Sequence, residues 1–360
     1  MAILKLGPSD FKVDASHDIF KIEEKKNKKN IFVKTFVFLP ALVKKTLGKI
    51  LGKHVLNAQG ISRKKLPILR DNFLKAVPSS KRGIIETADK VKLDAMEIKH
   101  PGNSLKLPQE QKWIIFLNGK NTAYEQNLEN LADMCEATKA NVLTANYRGV
   151  GFSEGSPSSA HDLVVDGEAL VQYLLNKGVS PENILVEGWS LGGGVATQVA
   201  AYHQEKDHEM KLVNDRSFGT LAHAISKFSV SGLIFAPLMT AFDWKFNTVK
   251  CWKAIKENCK LLIIHKDDQI VKYQASLYKH LKNDAMTAAD KKLKQQRKRR
   301  KGPKPLVKTH VQAYKPNQKI VLKDSFFGIQ GKGAHIVVVT HSKQRQLYIQ
   351  EVQRLLNIQP

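Results

Sequence analysis

Residues 183–200, NILVEGWSLGGGVATQVA, constrain what this chain can fold into more than any other stretch. Ile184, Leu185 and Val186 form a short apolar run of the kind a strand shows when both its faces are covered. Gly188-Trp189-Ser190-Leu191-Gly192 follows without a gap, and Val195, Val199 and Tyr202 then recur at helical spacing. The reading is strand, sharp turn and helix, with a serine at the turn. A strand and helix joined this tightly crowd each other, so the residues around the serine must lack a Cβ. The turn also sets the free N–H groups of a helix N-terminus beside the serine, where an oxyanion would develop. A plain small-residue turn ahead of a helix would show the same five residues. What separates the two readings is whether the chain also supplies a carboxylate, a histidine and an oxyanion loop in the order an elbow serine needs.

Apolar runs of strand length alternate with helical segments on both sides of this stretch. Strands are expected at 91–98, 113–117, 141–146, 211–213, 260–264 and 319–322, and helices near 127–138, 160–177, 221–240 and 344–356. That alternation implies an α/β fold with a mostly parallel central sheet flanked by helices, and functional groups then belong at the carboxyl ends of the strands. Pro237 should end or kink the apolar stretch 221–240, which suits a lid or cap and equally a framework helix. Residues 57–85 read as a basic connector, with Arg63-Lys64-Lys65 and Lys81-Arg82. The expected organisation is a basic N-terminal segment over 1–85 and a main domain over 86–360.

A serine nucleophile needs a base to take its proton and a carboxylate to orient that base. On a strand-to-helix elbow the chain order is serine, acid, histidine. Asp268, just beyond the run 260–264, is the acid candidate, with Asp267 its rival. His335, in the loop Gly331-Lys332-Gly333-Ala334-His335, is the base candidate, with His341 its rival. Singly, such an aspartate reads as a turn residue and such a histidine as a solvated loop side chain. Their occurrence together, in order and at strand ends, points to Ser190, Asp268 and His335 as a triad.

These motifs carry a resemblance. From about residue 86 to its end the chain resembles the α/β-hydrolase superfamily, in particular its bem46-like and serine-aminopeptidase-like branches. Residues 146–155, NYRGVGFSEG, are similar to the family's D-Y-R-G-x-G-x-S-x-G loop, with Asn146 in place of Asp. Gly188 to Gly193 match its nucleophile elbow, residues 265–271 (HKDDQIV) its acid segment, and Gly333-Ala334-His335 its G-x-H. The resemblance implies an α/β-hydrolase fold and makes Asp268 the acid. The family begins its oxyanion loop with His-Gly, whereas this chain has Asn118-Gly119-Lys120. Backbone amides do the work in that loop, so the backbone N–H groups of Leu191 and Lys120 are the expected oxyanion donors. The acid-to-histidine spacing is longer than is usual in the family, and a basic insertion at about 285–310 accounts for the excess. More loosely, Asn214-Asp215-Arg216-Ser217-Phe218 and the basic N-terminal segment resemble secreted effector hydrolases of intracellular bacteria. The implied function is a serine hydrolase acting without cofactor or metal on a small acyl ester or thioester, plausibly lipid-derived. A peptidase or amidase on the same fold is the first alternative, and a non-catalytic module that binds through its basic segments is the second.

Charge is the other constraint. With 58 basic and 33 acidic residues the net charge is +25, which implies an anionic partner or surface. Residues 31–56, IFVKTFVFLPALVKKTLGKILGKHVL, set Val43, Leu47, Ile50 and Leu51 on one helical face and Lys45, Lys49 and Lys53 on another. Such a helix can pack on the main domain, lie on an anionic membrane surface, or enter a partner's groove. Residues 291–308 hold ten Lys or Arg among eighteen and no acid. They read as a solvated loop, an anionic-lipid contact, a nuclear-import-like signal or a nucleic-acid contact, and the lack of interleaved aromatics argues against nucleic acid. Cys135, Cys251 and Cys259 show no paired or zinc-like spacing and fit a reducing compartment. With no apolar core near the N-terminus and no spanning-length apolar run, the expected location is cytoplasmic, peripheral at membranes, or in a host cell reached without a signal peptide.

Overall fold

The computed structural model describes residues 41–56, 62–228, 230–285, 319–322, 340, 342 and 344–359. Its eight strands are β1 (Ser80–Glu86), β2 (Lys92–Ile98), β3 (Trp113–Leu117), β4 (Asn141–Ala145), β5 (Ile184–Trp189), β6 (Lys211–Asp215), β7 (Lys260–His265) and β8 (Lys319–Leu322). They form one sheet in the order β1-β2-β4-β3-β5-β6-β7-β8. β1 and β2 make an antiparallel hairpin, β2 meets β4 antiparallel, and every pairing from β4 to β8 is parallel. The register Glu86↔Lys92 closes the hairpin over a turn in which Lys90 takes a φ of 68°.

Ten helices of seven residues or more among the described residues flank the sheet: α1 (Ala41–Leu56), α2 (Leu66–Ala76), α3 (Leu128–Thr138), α4 (Ala160–Asn176), α5 (Leu191–Gln204), α6 (Leu221–Phe228), α7 (Val230–Ala241), α8 (Thr248–Ala254), α9 (Leu277–Asp284) and α10 (Arg345–Leu355). The strand pleat decides which side each residue serves. Trp113, Ile115 and Leu117 join one apolar layer with α4, α5 and α8, while Ile114 and Phe116 join the other with α3 and α10. Every residue of β3, β4, β6 and β7 is buried, as two-sided covering requires.

Residues 57–85 are more than the expected connector. They contain α2, which buries Leu66, Arg70 and Phe73 on one face, and β1, so the expected boundary at 85/86 falls inside a strand. β1 was hard to read because it is an edge strand: of SKRGIIE only Ile85 is buried, and Lys81 and Glu86 are exposed. The stretch 221–240 divides into α6 and α7, and Pro237 lies inside α7. The strand expected at 211–213 continues to Asp215. Residues 1–40 and the basic run 291–308 lie outside the described residues.

Of the roles open to the N-terminal helix, packing on the main domain is observed for one face of α1. Leu51, Val55 and Leu56 are buried there. A Cβ on Gly48 or Gly52 would overlap the carbonyl oxygen of Ser158 or Pro157, so the two backbones meet directly. The indole Nε1 of Trp244 donates to the Gly48 carbonyl at 3.1 Å, and the Asn121 amide donates to the Leu56 carbonyl at 2.8 Å. Lys45, Lys49 and Lys53 face outward.

These contacts make a stability prediction with a sign. In an exposed helix interior Gly→Ala stabilises by about 1 kcal/mol. At Gly52 the new methyl meets backbone and the Trp244 ring at 2.8 Å, so overpacking of about 1–3 kcal/mol should prevail. Gly52→Ala should therefore lower the thermal midpoint, as followed by circular dichroism.

Candidate active site

β5 hands the chain to α5 through Ser190, which adopts φ 56° and ψ −112°. A non-glycine residue rarely takes a positive φ, and here the surroundings impose it. The Ser190 amide donates to the Asp215 carbonyl at 2.8 Å, and the Ser190 carbonyl accepts from the Gly193 amide at 3.1 Å. A Cβ on Gly188 would overlap the Gly192 carbonyl, and one on Gly192 would overlap the Leu117 carbonyl. One on Gly193 would lie 2.6 Å from the Ser217 Cβ. Backbone carbonyls fill the space beside Gly188 and Gly192, so this is an elbow and not a loose small-residue turn. Ser190 is 8% exposed.

The β3 exit reaches the same place. Gly119 lies under the Trp189 ring, where a Cβ would come within 2.9 Å of Cε3. Lys120 follows with an exposed side chain. Leu191 is the first residue of α5, so its amide has no carbonyl one turn back within the helix. Asn118, standing where the family has histidine, is buried and structural: its Oδ1 accepts from Asn127 Nδ2 at 2.8 Å.

Past β7, Asp268 is 5% exposed, and its Oδ1 accepts from the amides of Ile270 (2.9 Å) and Val271 (2.8 Å). Both bonds fix the direction of the carboxylate. Asp267 is exposed, and its amide donates to His265 Nδ1 at 3.1 Å. The two aspartates thus differ: Asp268 is buried and held by backbone amides, and Asp267 is exposed. His335 and His341 lie outside the described residues. β8 runs parallel to β7 with His265 opposite Leu322, so the chain leaves β8 at the sheet end where Asp268 stands. Beyond that loop, Arg345 clamps Asp133 with bonds of 2.6 and 2.9 Å and donates to the Thr340 carbonyl at 2.7 Å.

The glycine-rich loop after β4 is framework. Arg148 binds Asp166 through Nε (2.7 Å) and Asp89 through both terminal nitrogens (2.7 and 2.9 Å). Gly149, Gly151 and Gly155 all take positive φ. Asn146 explains its own departure from the family pattern: its Nδ2 donates to Glu125 at 3.0 Å while its Oδ1 accepts from the Tyr124 amide at 2.8 Å. An aspartate there would face a second buried carboxylate.

Glu187 and Tyr348, near the elbow, escaped the sequence reading, which took Asp215 and Arg216 only as part of a loose resemblance. Tyr348 of α10 donates to Glu187 Oε2 at 2.7 Å, tying the C-terminal helix to the nucleophile strand. Burial raises the Glu187 carboxyl from its ordinary 4.5 to about 8; the Tyr348 hydrogen bond opposes the shift and the Asp215 charge adds to it. Arg216, at φ 46°, grips the Asp215 carboxylate at 2.6 and 2.7 Å. A glutamate inside an otherwise apolar strand was the available signal. Among the described residues no group of three or more His, Cys, Asp or Glu is placed to hold a metal ion.

Residues 33–324 match the family described as Chlamydia CHLPS protein (DUF818). The chain belongs to this family. Among curated proteins, the CHLPS-family chain is 27% identical to the multifunctional-autoprocessing repeats-in-toxin of Vibrio cholerae over 158 residues, 42% of the chain and 3% of the toxin. It is 29% identical to protein bem46 of Schizosaccharomyces pombe over 131 residues, 36% of the chain and 42% of bem46. It is 28% identical to lysophosphatidylserine lipase ABHD12 of Danio rerio over 174 residues, 45% of the chain and 44% of the lipase. The chain spans less than half the length of each relative. A crystal structure of an alpha-beta hydrolase from Vibrio vulnificus superposes with a TM-score of 0.54 at 18% identity, covering 89% of this chain and 95% of that one. The CHLPS-family chain therefore has the α/β-hydrolase fold, and bem46 agrees with the branch its motifs resemble.

The Glu187 shift predicts how stability depends on pH. The unfolded chain releases this proton near pH 4.5 and the folded chain near 8. Between those values the native state binds more protons, so stability falls as pH rises through the window. Glu187→Gln should retain the Tyr348 contact and remove this loss, on the order of a few kcal/mol. Denaturant unfolding at pH 5.5 and 8.5 reads the difference.

Proposed function

We propose that this chain is a serine hydrolase acting on a carboxylic ester or thioester. The observation that carries the reading is Ser190, held at a strained positive φ on the N-terminus of α5 with glycine backbone around it. Ser190 Oγ attacks the substrate carbonyl while His335 takes its proton, and Asp268 orients the imidazole and stabilises it when charged. The tetrahedral oxyanion is held by the amides of Leu191 and Lys120. His335 then returns the proton to the leaving alcohol or thiol, and water releases the acyl group from Ser190 by the same steps. Two amide bonds to Asp268 Oδ1 support its role, since they hold the carboxylate in the fixed direction that orienting an imidazole requires. A lipid-derived acyl ester is the favoured substrate class, supported by the lysophosphatidylserine lipase among the relatives.

Fluorophosphonate labelling tests the reading. The wild-type chain should label and Ser190→Ala should not, with far-ultraviolet circular dichroism unchanged. Asp268→Asn should lower kcat by about 10³–10⁴-fold and Asp267→Asn should change it little. Loss of labelling in His335→Ala, but not His341→Ala, identifies the base. Undiminished labelling of Ser190→Ala, or none of the wild type, would overturn the assignment. Acyl esters set against amino-acid amides separate an esterase from an amidase.

A further inference from the structure

We propose that the outer face of α1 docks this domain on an anionic lipid membrane, with the carboxyl end of the sheet turned toward the bilayer. The inner face fixes the geometry. Gly48 and Gly52 press backbone to backbone on Ser158 and Pro157, and Leu51 and Val55 are buried, so the helix cannot roll. The opposite arc is therefore permanently presented. On it Lys45, Lys49 and Lys53 stand one turn apart, all exposed. Beside that row runs an apolar strip two turns long, Val43 at 40% and Ile50 at 50% exposure. No acidic residue occurs anywhere in the helix.

A merely solvated face needs neither feature: it ordinarily mixes charge signs and does not align exposed aliphatic residues with a lysine row. An interfacial helix needs both. Its ammonium groups meet lipid phosphates and carboxylates, while its aliphatic strip enters the boundary of the acyl region. Other occupants fit less well. Nucleic acid would use aromatic platforms or guanidinium forks, and the arc has neither. A second copy of the same face would bring lysine against lysine. The net charge of +25 favours an anionic surface throughout.

The placement of α1 gives docking a consequence. Leu56, its last residue, accepts from the Asn121 amide, next to Lys120 at the β3 exit. Pro157 and Ser158 belong to the segment that follows β4. The helix thus crosses the carboxyl ends of β3 and β4, the sheet end at which Ser190 leaves β5. A membrane-bound α1 brings lipid to that end. Docking stands apart from the proposed reaction, because it is read without turnover.

The test is flotation of the full chain with vesicles of phosphatidylcholine alone or phosphatidylcholine with phosphatidylserine. The wild type should float only with the anionic vesicles, and added salt should release it. Lys45→Glu, Lys49→Glu and Lys53→Glu combined should weaken binding at least about tenfold. Ile50→Asp should weaken it severalfold, and Ile50→Leu should preserve it. All four positions are exposed, and an unchanged melting curve verifies the fold. Equal binding to neutral vesicles, wild-type affinity in the triple variant, or tighter α1-dependent binding to duplex DNA than to vesicles would each overturn the proposal. Fluorophosphonate labelling in solution keeps the two proposals distinct: flotation without labelling sinks the hydrolase reading alone, and labelling without flotation sinks the docking alone.

Discussion

Between the end of β3 and the first turn of α5 there is no room for a side chain. The Leu117 carbonyl occupies the space a Gly192 Cβ would take, and the Gly192 carbonyl occupies that of Gly188. This contact brings three strand exits to one point: β3 with Gly119, β5 with Ser190, and β6, whose Asp215 carbonyl holds the serine amide. The positive φ of Ser190 costs about 1–3 kcal/mol. It persists because β5 is buried between two apolar layers and α5 is buried along most of its length. The framework thus sustains the strain, and the strain holds the hydroxyl at the head of the helix, ahead of any substrate.

Buried charge is arranged to serve the same framework. Arg148 lies between Asp166 and Asp89, and both carboxylates accept from its guanidinium, so the loop after β4 is clamped to α4 and to the β1–β2 turn. Asp166 is buried with Arg148 while Asp89 is half-exposed, so removing Asp166 or Arg148 leaves an uncompensated buried charge, which is far costlier than the pair is stabilising. Glu187 shows the other solution. With its one bond supplied by Tyr348 and a like charge at Asp215, it keeps its proton instead of gaining a cation. Its position on β5 makes it a hinge point between the elbow strand and α10, the helix that follows the histidine-bearing segment.

Much of this was legible in the sequence, for identifiable reasons. Fully buried strands such as Trp113–Leu117 announce themselves as unbroken apolar runs, and the elbow does so through glycines that sterics require. Asp268 was legible from its place after a strand and its likeness to a family motif; its backbone bonds were not. β1 was hidden because an edge strand buries one face only, and its Lys-Arg-Gly reads as connector. The continuation of α7 through Pro237 runs against the helix-ending effect that a proline has on local reading. Glu187 gains its meaning from Tyr348 on another element, and only its place inside an apolar strand marks it locally.

α1 repeats, at the edge of the molecule, the device used at its centre. In both places glycine lets a helix backbone sit directly on a carbonyl, and in both the orientation of the helix follows from that contact. At the elbow the fixed direction aims an N-terminus at the serine. On α1 it fixes which residues face outward, so the lysine row and the Val43–Ile50 strip are consequences of Gly48 and Gly52 as much as of their own identities. A helix held by larger side chains would sit farther from the domain. Held by glycine, it couples one defined surface to the Asn121 amide and hence to the loop containing Lys120. The β3 exit, packed on Trp189, and the surface that faces outward thus join at one contact, the Asn121 amide on the Leu56 carbonyl.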